Sequence, residues 1–288
     1  MQVAPYISDR KKKRKRVQAY FFTTLGLIVF YGIFFIAQWF IFQSPIFRVD
    51  HVVVQGNSSV SSTDVIALVE AGALQDHGMF RAALTFQNML LWPDVVSQKE
   101  LQMLPQLASA EVSKDYFSHT ITITVIERSP FGIWCFSAPP GGGAQEGMTS
   151  ATADIGSNSG APCYWFDDTG TMFEKASETQ GDLVFVVYDS AQSPRGLNQA
   201  VLPGQFLSDG ISVMKVLKAS GLGVRSIELN DLSLEEMDVQ TTNGPTIYFS
   251  LQFPADEYLP IIQKLMLLPT FNTLQYIDCR TENRLFYK

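Results

Sequence analysis

Apolar and polar positions divide the chain into three stretches with different periods. From Val17 to Phe42 no charged residue interrupts 26 positions, more than the ~20 a helix needs to cross ~30 Å of hydrocarbon. The stretch predicts a transmembrane helix, with Tyr20, Tyr31 and Trp39 partly at interfacial positions and Gln18, Thr23, Thr24 and Gln38 as tolerated polar side chains. Past it the pattern breaks into short elements. Phe47 to Val54 is β-rich, and Gln55 to Ser58 supply a turn. A helix comes next, capped by Ser61 or Ser62, with Val65, Leu68 and Val69 at helical spacing and Gly72 placed to end it. Ser97 and Glu100 form a capping box for a second helix carrying Leu101 and Leu104, which Pro105 stops. Ala110 to Lys114 and Thr120 to Val125 then read as strands; in the second, Ile121, Ile123 and Val125 share one face and the threonines the other. The order is β-α-α-β-β.

The remainder predicts strands at 131–136, 163–166, 171–173, 183–188, 224–229, 236–241, 246–251, 274–280 and 285–287. Two helices interrupt them. One spans Asp209 to Ala219 with Ile211, Met214 and Leu217 in register and Gly221 or Gly223 near its end. The other starts about Asp256, with Pro260 in its first turns and Ile261, Leu265 and Leu268 inward. This half is a mostly antiparallel sheet with two helices, which makes the chain α+β. Two stretches stand out. Residues 73–96 are long for a connection and cluster Phe80, Leu84, Phe86, Met89, Leu90, Leu91 and Trp92, as a helical segment on the core or an exposed docking patch. Residues 137–162, rich in Gly, Ser, Ala and Pro, cannot bury enough apolar area to order themselves and read as a flexible excursion from a hairpin.

Charge turns the long helix into a topology. The seven basic residues Arg10 to Arg16 against Asp9 make the first 16 residues +6, so with −7 overall the rest carries −13. By the positive-inside rule the tail stays cytoplasmic and everything from Ser44 onward is exported. The basic run also meets anionic lipid, and the apolar helix directly after it argues against a nucleic-acid role. The apolar core is too long for a cleaved signal peptide and ends in Gln38-Trp39-Phe40, so the chain stays tethered.

Several segments in this order resemble a known family. Phe47-Arg48-Val49 leading to Val53-Val54-Gln55-Gly56-Asn57 and Val60-Ser61 looks like the opening of a POTRA domain, a polypeptide-binding module. Leu104-Pro105, Ala110-Glu111-Val112, Ile121 to Val125 and Glu127-Arg128-Ser129-Pro130-Phe131 resemble its close in FtsQ/DivIB cell-division proteins. Tyr164 to Phe173 resembles that family's next hairpin, and Tyr276-Ile277-Asp278-Cys279-Arg280 its C-terminal strand. The resemblance implies a cytoplasmic tail (1–16), a signal-anchor helix (17–43), a POTRA domain (44–128) and a β-domain (129–288) with a flexible insert at 137–162. It further implies a non-enzymatic divisome scaffold without cofactors, single-pass type II in the bacterial inner membrane and at the septum. Its partners would be FtsB and FtsL (DivIC-like) proteins, with other divisome proteins on the POTRA domain, and neither nucleic acid nor a small-molecule substrate. The family's partner-binding strand falls on Tyr276, Ile277, Asp278, Cys279, Arg280 and Thr281, with Leu285, Phe286 and Tyr287 beyond, where strand addition at an edge would join the partner. Departures from the family are Cys279 in place of an aliphatic residue, the long 73–96 segment and the long insert.

Rival chemistry is thin. Asp168-Thr169-Gly170 matches the aspartic-protease triplet, the basis for an alternative as a membrane-tethered hydrolase, but no second such aspartate is evident and a hairpin turn uses the same residues. Another POTRA-containing export or assembly protein is a further alternative. His51 and His119 fall in strands of the first domain, and with His77 they form no metal or nucleophile motif. Cys135 and Cys163 flank the excursion and would face each other in a hairpin; an exported location permits a disulfide there, leaving Cys279 single, while two free thiols remain the alternative.

Overall fold

The computed structural model describes residues 7–75, 88–137, 162–177 and 184–288. The excursion (138–161) and the stretch 76–87, with Phe80, Leu84 and Phe86, lie outside the described residues. The protein is α+β, with an N-terminal apolar helix, a three-stranded sheet and a nine-stranded, mostly antiparallel sheet. Contacts divide it into two units, residues 1–100 with 109–125 and residues 101–108 with 126–288.

Helix α1 (Ile7–Gln43) contains a 28-residue span, Lys13–Phe40, apolar and long enough to cross a membrane. Its Thr23 and Thr24 hydroxyls donate back to the carbonyls of Ala19, Tyr20 and Phe21 at 2.8–3.0 Å. That is how such hydroxyls are satisfied without water.

In the first unit β1 (His51–Gln55) runs parallel to β3 (Thr120–Glu127), and β2 (Leu107–Asp115) pairs on β3's other side. Ile121, Ile123 and Val125 are buried on one face of β3, as the alternation requires. Between β1 and β2 lie α2 (Ser62–Gln75) and the short α3 (Gln98–Leu101). Ser61 Oγ caps α2 through Asp64 N–H, and Val65, Leu68 and Val69 point inward. Gly72, expected to end α2, lies inside it. A Cβ there would stand 1.8 Å from Glu100 Oε1, so the glycine serves close approach and not termination. Glu100 is committed to α3's capping box, accepting Ser97 N–H at 2.6 Å. Of the 73–96 cluster, Met89 and Trp92 are buried and Leu90 is exposed. His119 is not in a strand: at φ +54° it occupies the turn before β3, a conformation histidine tolerates better than most residues.

The second unit holds β4 (Gly132–Cys135), β5 (Cys163–Phe166), β6 (Met172–Ala176), β7 (Phe185–Asp189), β8 (Val224–Leu229), β9 (Glu236–Thr241), β10 (Thr246–Ser250), β11 (Tyr276–Thr281) and β12 (Arg284–Tyr287). Their spatial order is β12-β11-β10-β9-β8-β7-β4-β5-β6. Five neighbouring pairs are antiparallel; β10/β11, β7/β8 and β4/β7 are parallel. A parallel pair needs a crossover, which α4 (Gly204–Ser220) supplies between β7 and β8 and α5 (Leu259–Met266) between β10 and β11. Helix α4 starts five residues ahead of the expected Asp209, directly after Pro203, and buries Ile211, Met214 and Leu217. Helix α5 differs in facing: Ile262 and Leu265 are buried, whereas Ile261 and Leu268 are 41% exposed. A 3-10 turn at Asp256–Tyr258 leads into the helix, and the inward row is Tyr258, Ile262, Leu265 at i, i+4, i+7 spacing.

Around Trp134, Phe166, Met214, Ile227, Phe249 and Ile277 lies the main core, between the sheet and these helices. The Trp134 indole N–H donates to Asp189 Oδ2 at 3.0 Å, and Asp189 also accepts from the Ala191 and Gln192 amides and from Gln192 Nε2. Burial raises the Asp189 carboxyl against the lowering pull of those bonds.

Candidate functional site

The candidate strand lies at an open end of the large sheet. β12 is the outermost strand, and among the described residues only β11 pairs with it. A tight turn at Glu282–Asn283 joins the two, with Asn283 in the left-handed region at φ +60°. Lys288 N–H donates to Tyr276 O and Gln275 N–H donates to Lys288 O. Lys288 therefore faces β11, and by alternation so does Phe286, while Leu285 and Tyr287 turn their N–H and C=O groups away from the sheet. Phe286 and Tyr287 are 53% and 54% exposed, whereas Leu285 packs against the core.

The expected residues separate by face. Ile277 and Cys279 are wholly buried, so they shape the edge from within and present no side-chain surface at it. Burial, with a smaller push from Asp278, moves the Cys279 thiol up to about 12, far from a reactive thiolate. Tyr276, Asp278 and Arg280 occupy the opposite face. Arg280 bonds Asp278 Oδ2 at 2.7 Å and Glu236 Oε2 at 3.0 Å, and its guanidinium carbon lies 5.1 Å from the Tyr248 ring centroid. The hydrogen bond to Asp278 raises the Arg280 pKa further and in return lowers that of Asp278. This network crosses β9, β10 and β11 and holds the penultimate strand; Glu236 and Tyr248 were not evident as its members, because nothing in the linear pattern pairs β9 with β11 across β10. Thr281 is fixed as well, its carbonyl accepting from Tyr258 Oη at 2.7 Å.

Other candidates carry structure. Asp167, not Asp168, is the engaged residue of the D-D-T-G turn: it accepts from Thr169 N–H, Thr169 Oγ1 and Thr171 N–H and pairs with Arg128. Burial alone would raise its carboxyl, but the bonds from Thr169 and Thr171 and the Arg128 pair together hold it below the ordinary range. Asp168 is exposed, and Gly170 at φ +81° closes the turn onto Leu207, whose Cδ1 would lie 2.6 Å from an added Cβ. Cys135 and Cys163 pair across β4 and β5 with Cα atoms 4.0 Å apart and are joined by a disulfide, with Cys279 the free cysteine. His119 Nδ1 lies 3.2 Å from Arg48 O, and His51 is exposed at the start of β1. A cleft of ≈450 Å³ between Phe131, Trp165 and the end of α4 has one charged lining side chain, Lys218, whose ammonium sits 4.7 Å from the Phe131 ring centroid. Among the described residues no group of three or more His, Cys, Asp or Glu side chains is arranged to hold a metal ion.

No protein-family model and no curated protein matches the sequence.

Proposed function

We propose that this chain is a non-enzymatic, membrane-tethered scaffold of bacterial cell division, of the FtsQ/DivIB kind, that captures a partner by strand addition at β12. The observation that carries the proposal is the open β12 edge, with outward-facing amides at Leu285 and Tyr287 and exposed rings at Phe286 and Tyr287. Unpaired edges are normally protected in native proteins, and a peptide strand gains main-chain hydrogen bonds from such a row while alternate side chains set specificity. The order of parts supports the scaffold reading. A basic tail precedes a helix fit to span a membrane, then comes a β-α-α-β-β unit read as a POTRA domain, then the large sheet. On this reading the tail is cytoplasmic, both folded units are exported, and the partners are single-pass division proteins of the FtsB and FtsL class, with further divisome proteins on the POTRA unit.

The test is capture of an FtsB-like segment by the full chain. Deleting Arg284–Lys288, or substituting Thr281→Pro, should abolish capture and septal localisation of a fluorescent fusion while the first unit stays folded. Capture that survives both changes undiminished would move the binding strand elsewhere. Dispersed membrane fluorescence of the unaltered protein in dividing cells would remove the division role.

A further inference from the structure

Directly after α1 the chain makes a 3-10 turn, Pro45–Phe47, capped by the Ser44 hydroxyl on Ile46 N–H. Phe47 is four residues from the helix end, so it lies within about 14 Å of Gln43 even if that stretch were fully extended. Its ring meets Tyr116 edge-on at 6.1 Å between centroids. Two further ties pull the same hairpin toward the juxtamembrane segment: Asp50 N–H donates to His119 O at 2.9 Å, and His119 Nδ1 lies 3.2 Å from Arg48 O. The β2–β3 turn is therefore fastened to the stretch that leaves the helix.

At its tip Phe117 is 99% exposed, with Tyr116 at 39% and Ile46 at 49% beside the anchor point. The turn is rigidly built: Asp115 Oδ1 accepts from the Phe117 and Ser118 amides at 2.9 and 3.3 Å, and Asp115 Oδ2 accepts from Ser118 Oγ at 2.7 Å. Asp115 thus spends its carboxylate on the turn, and Lys114 is paired to Asp94. Single exposed apolar residues are ordinary on a protein surface, but this one sits on a fixed turn with exposed Tyr116 next to it and Ile46 beside the helix end to which the turn is fastened. The uncharged stretch Val17–Phe42 measures about 39 Å as helix at 1.5 Å per residue, longer than the ~30 Å of hydrocarbon, so its end and the turn after it fall in the headgroup layer, where aromatic rings concentrate.

We infer that the Tyr116–Phe117 tip of the β2–β3 hairpin, together with Ile46, docks into the outer headgroup region of the bilayer that α1 enters. The partner is the lipid surface itself, and the contact is a second foothold that fixes the first folded unit against the membrane. It rests on α1 crossing the bilayer.

The experiment uses the full chain in phosphatidylcholine–phosphatidylglycerol vesicles whose acyl chains carry a quencher near the headgroup. A fluorophore is placed by Phe117→Cys, or within α1 by Phe30→Cys; among the native cysteines Cys279 is buried and the other two are bridged, so labelling is selective. Lipid-borne quenching at both positions, with position 117 shielded from aqueous iodide, is the expected result. Quenching at 30 together with full iodide access and no lipid quenching at 117 overturns the inference while leaving the membrane span intact. No lipid quenching at either position overturns both. With the dye on Ser113→Cys, adding Phe117→Asp should reduce lipid quenching, and an unchanged signal would show that the native ring contributes no anchoring.

Discussion

The two ends of the nine-stranded sheet are finished in opposite ways. At the β6 end Met172 and Phe173 are buried, Met172 N–H donates to Gln199 O, Asn198 N–H donates to Met172 O, and Thr171 bridges to Ala200. Glu174 and Lys175 then put charge on the exposed remainder of the strand. At the β12 end no described segment takes the outward amides, and the exposed side chains are the Phe286 and Tyr287 rings with Arg284 and Lys288 at either end of them. One sheet thus has an edge whose backbone is partly covered by the 198–200 segment and an edge whose outward backbone no described segment takes. The contrast separates the two edges more sharply than exposure does, since Phe117 and Leu267 are more exposed than either ring.

The largest expected effect breaks the closed end. The Cys135–Cys163 bridge ties β4 to β5, beside β6, and closes a loop of 28 residues; removing it with the double substitution Cys135→Ser, Cys163→Ser should cost about 3.6 kcal/mol by loop-closure entropy. Denaturant unfolding with and without reductant measures this. Capture at β12 should be unchanged at temperatures where the variant remains folded, and a parallel loss of capture would mean that the two ends are not independent.

Next is Arg128→Met, which strips the charged partner from Asp167 in the turn between β5 and β6. Asp167 is buried and Arg128 half-buried, with side-chain exposures of 6% and 15%, and loss of a charge-assisted bond of this kind costs about 2 kcal/mol at neutral pH. The sign with pH comes from the depressed Asp167 pKa. Its contribution is fully present above the unfolded-state value of 3.8 and disappears as pH falls through the lower folded-state value. Wild-type and variant stabilities should therefore converge in acid; a constant gap from pH 7 to pH 2 would show that the arginine stabilises by packing alone.

At the open end Tyr287→Pro removes an amide that points away from β11, so the β11–β12 ladder keeps its bonds while an incoming strand loses a donor. A loss of about 1 kcal/mol in partner affinity, with little change in melting temperature, is the expected outcome. Titration of an FtsB-like peptide measures it, and unaltered affinity would place the incoming strand on another edge.

Much of this architecture was legible because period and burial agree. Ile121, Ile123 and Val125 alternate in sequence and are buried in fact, and the spacing of Ile211, Met214 and Leu217 marks the inward face of α4. Legibility failed where a neighbour distant in sequence decides. Gly72 reads as a helix stop until Glu100 packs against it, and Ile261 reads as core although the sheet and α4 side take Tyr258, Ile262 and Leu265 instead. The candidate strand was visible as a segment, but its division into buried Ile277 and Cys279, the tethered Asp278 and Arg280, and the accessible Phe286 and Tyr287 depends on which strands flank it. Glu236 is 44 residues from Arg280, and no periodicity announces that contact.

The smallest expected effect sharpens the comparison through a change of sign. Asp238 lies on β9, on the same face as Arg280's network, and its carboxyl is raised: first by burial, then by the like charges of Glu236 and Glu228, against which Arg280 and a hydrogen bond from Asn230 work only in part. A raised acid retains its proton in the folded state at pH values where the unfolded chain has already released it. Stability from this group therefore falls as pH rises from 3.8 through the folded-state value and stays reduced above it, the reverse of Asp167 at the closed end. Asp238→Asn removes the repulsion and keeps a side chain able to accept from Asn230, so the variant should be more stable than wild type at neutral pH, by less than about 1 kcal/mol. Well below 3.8, where the carboxyl is protonated in both states, the advantage should vanish. Melting temperatures across this range decide it. A variant that is less stable at pH 7 would mean that the Asp238 charge is supported by the Arg280 network and not strained by its acidic neighbours, and the open end would then match the closed one in its electrostatics while differing from it only in its unpaired backbone.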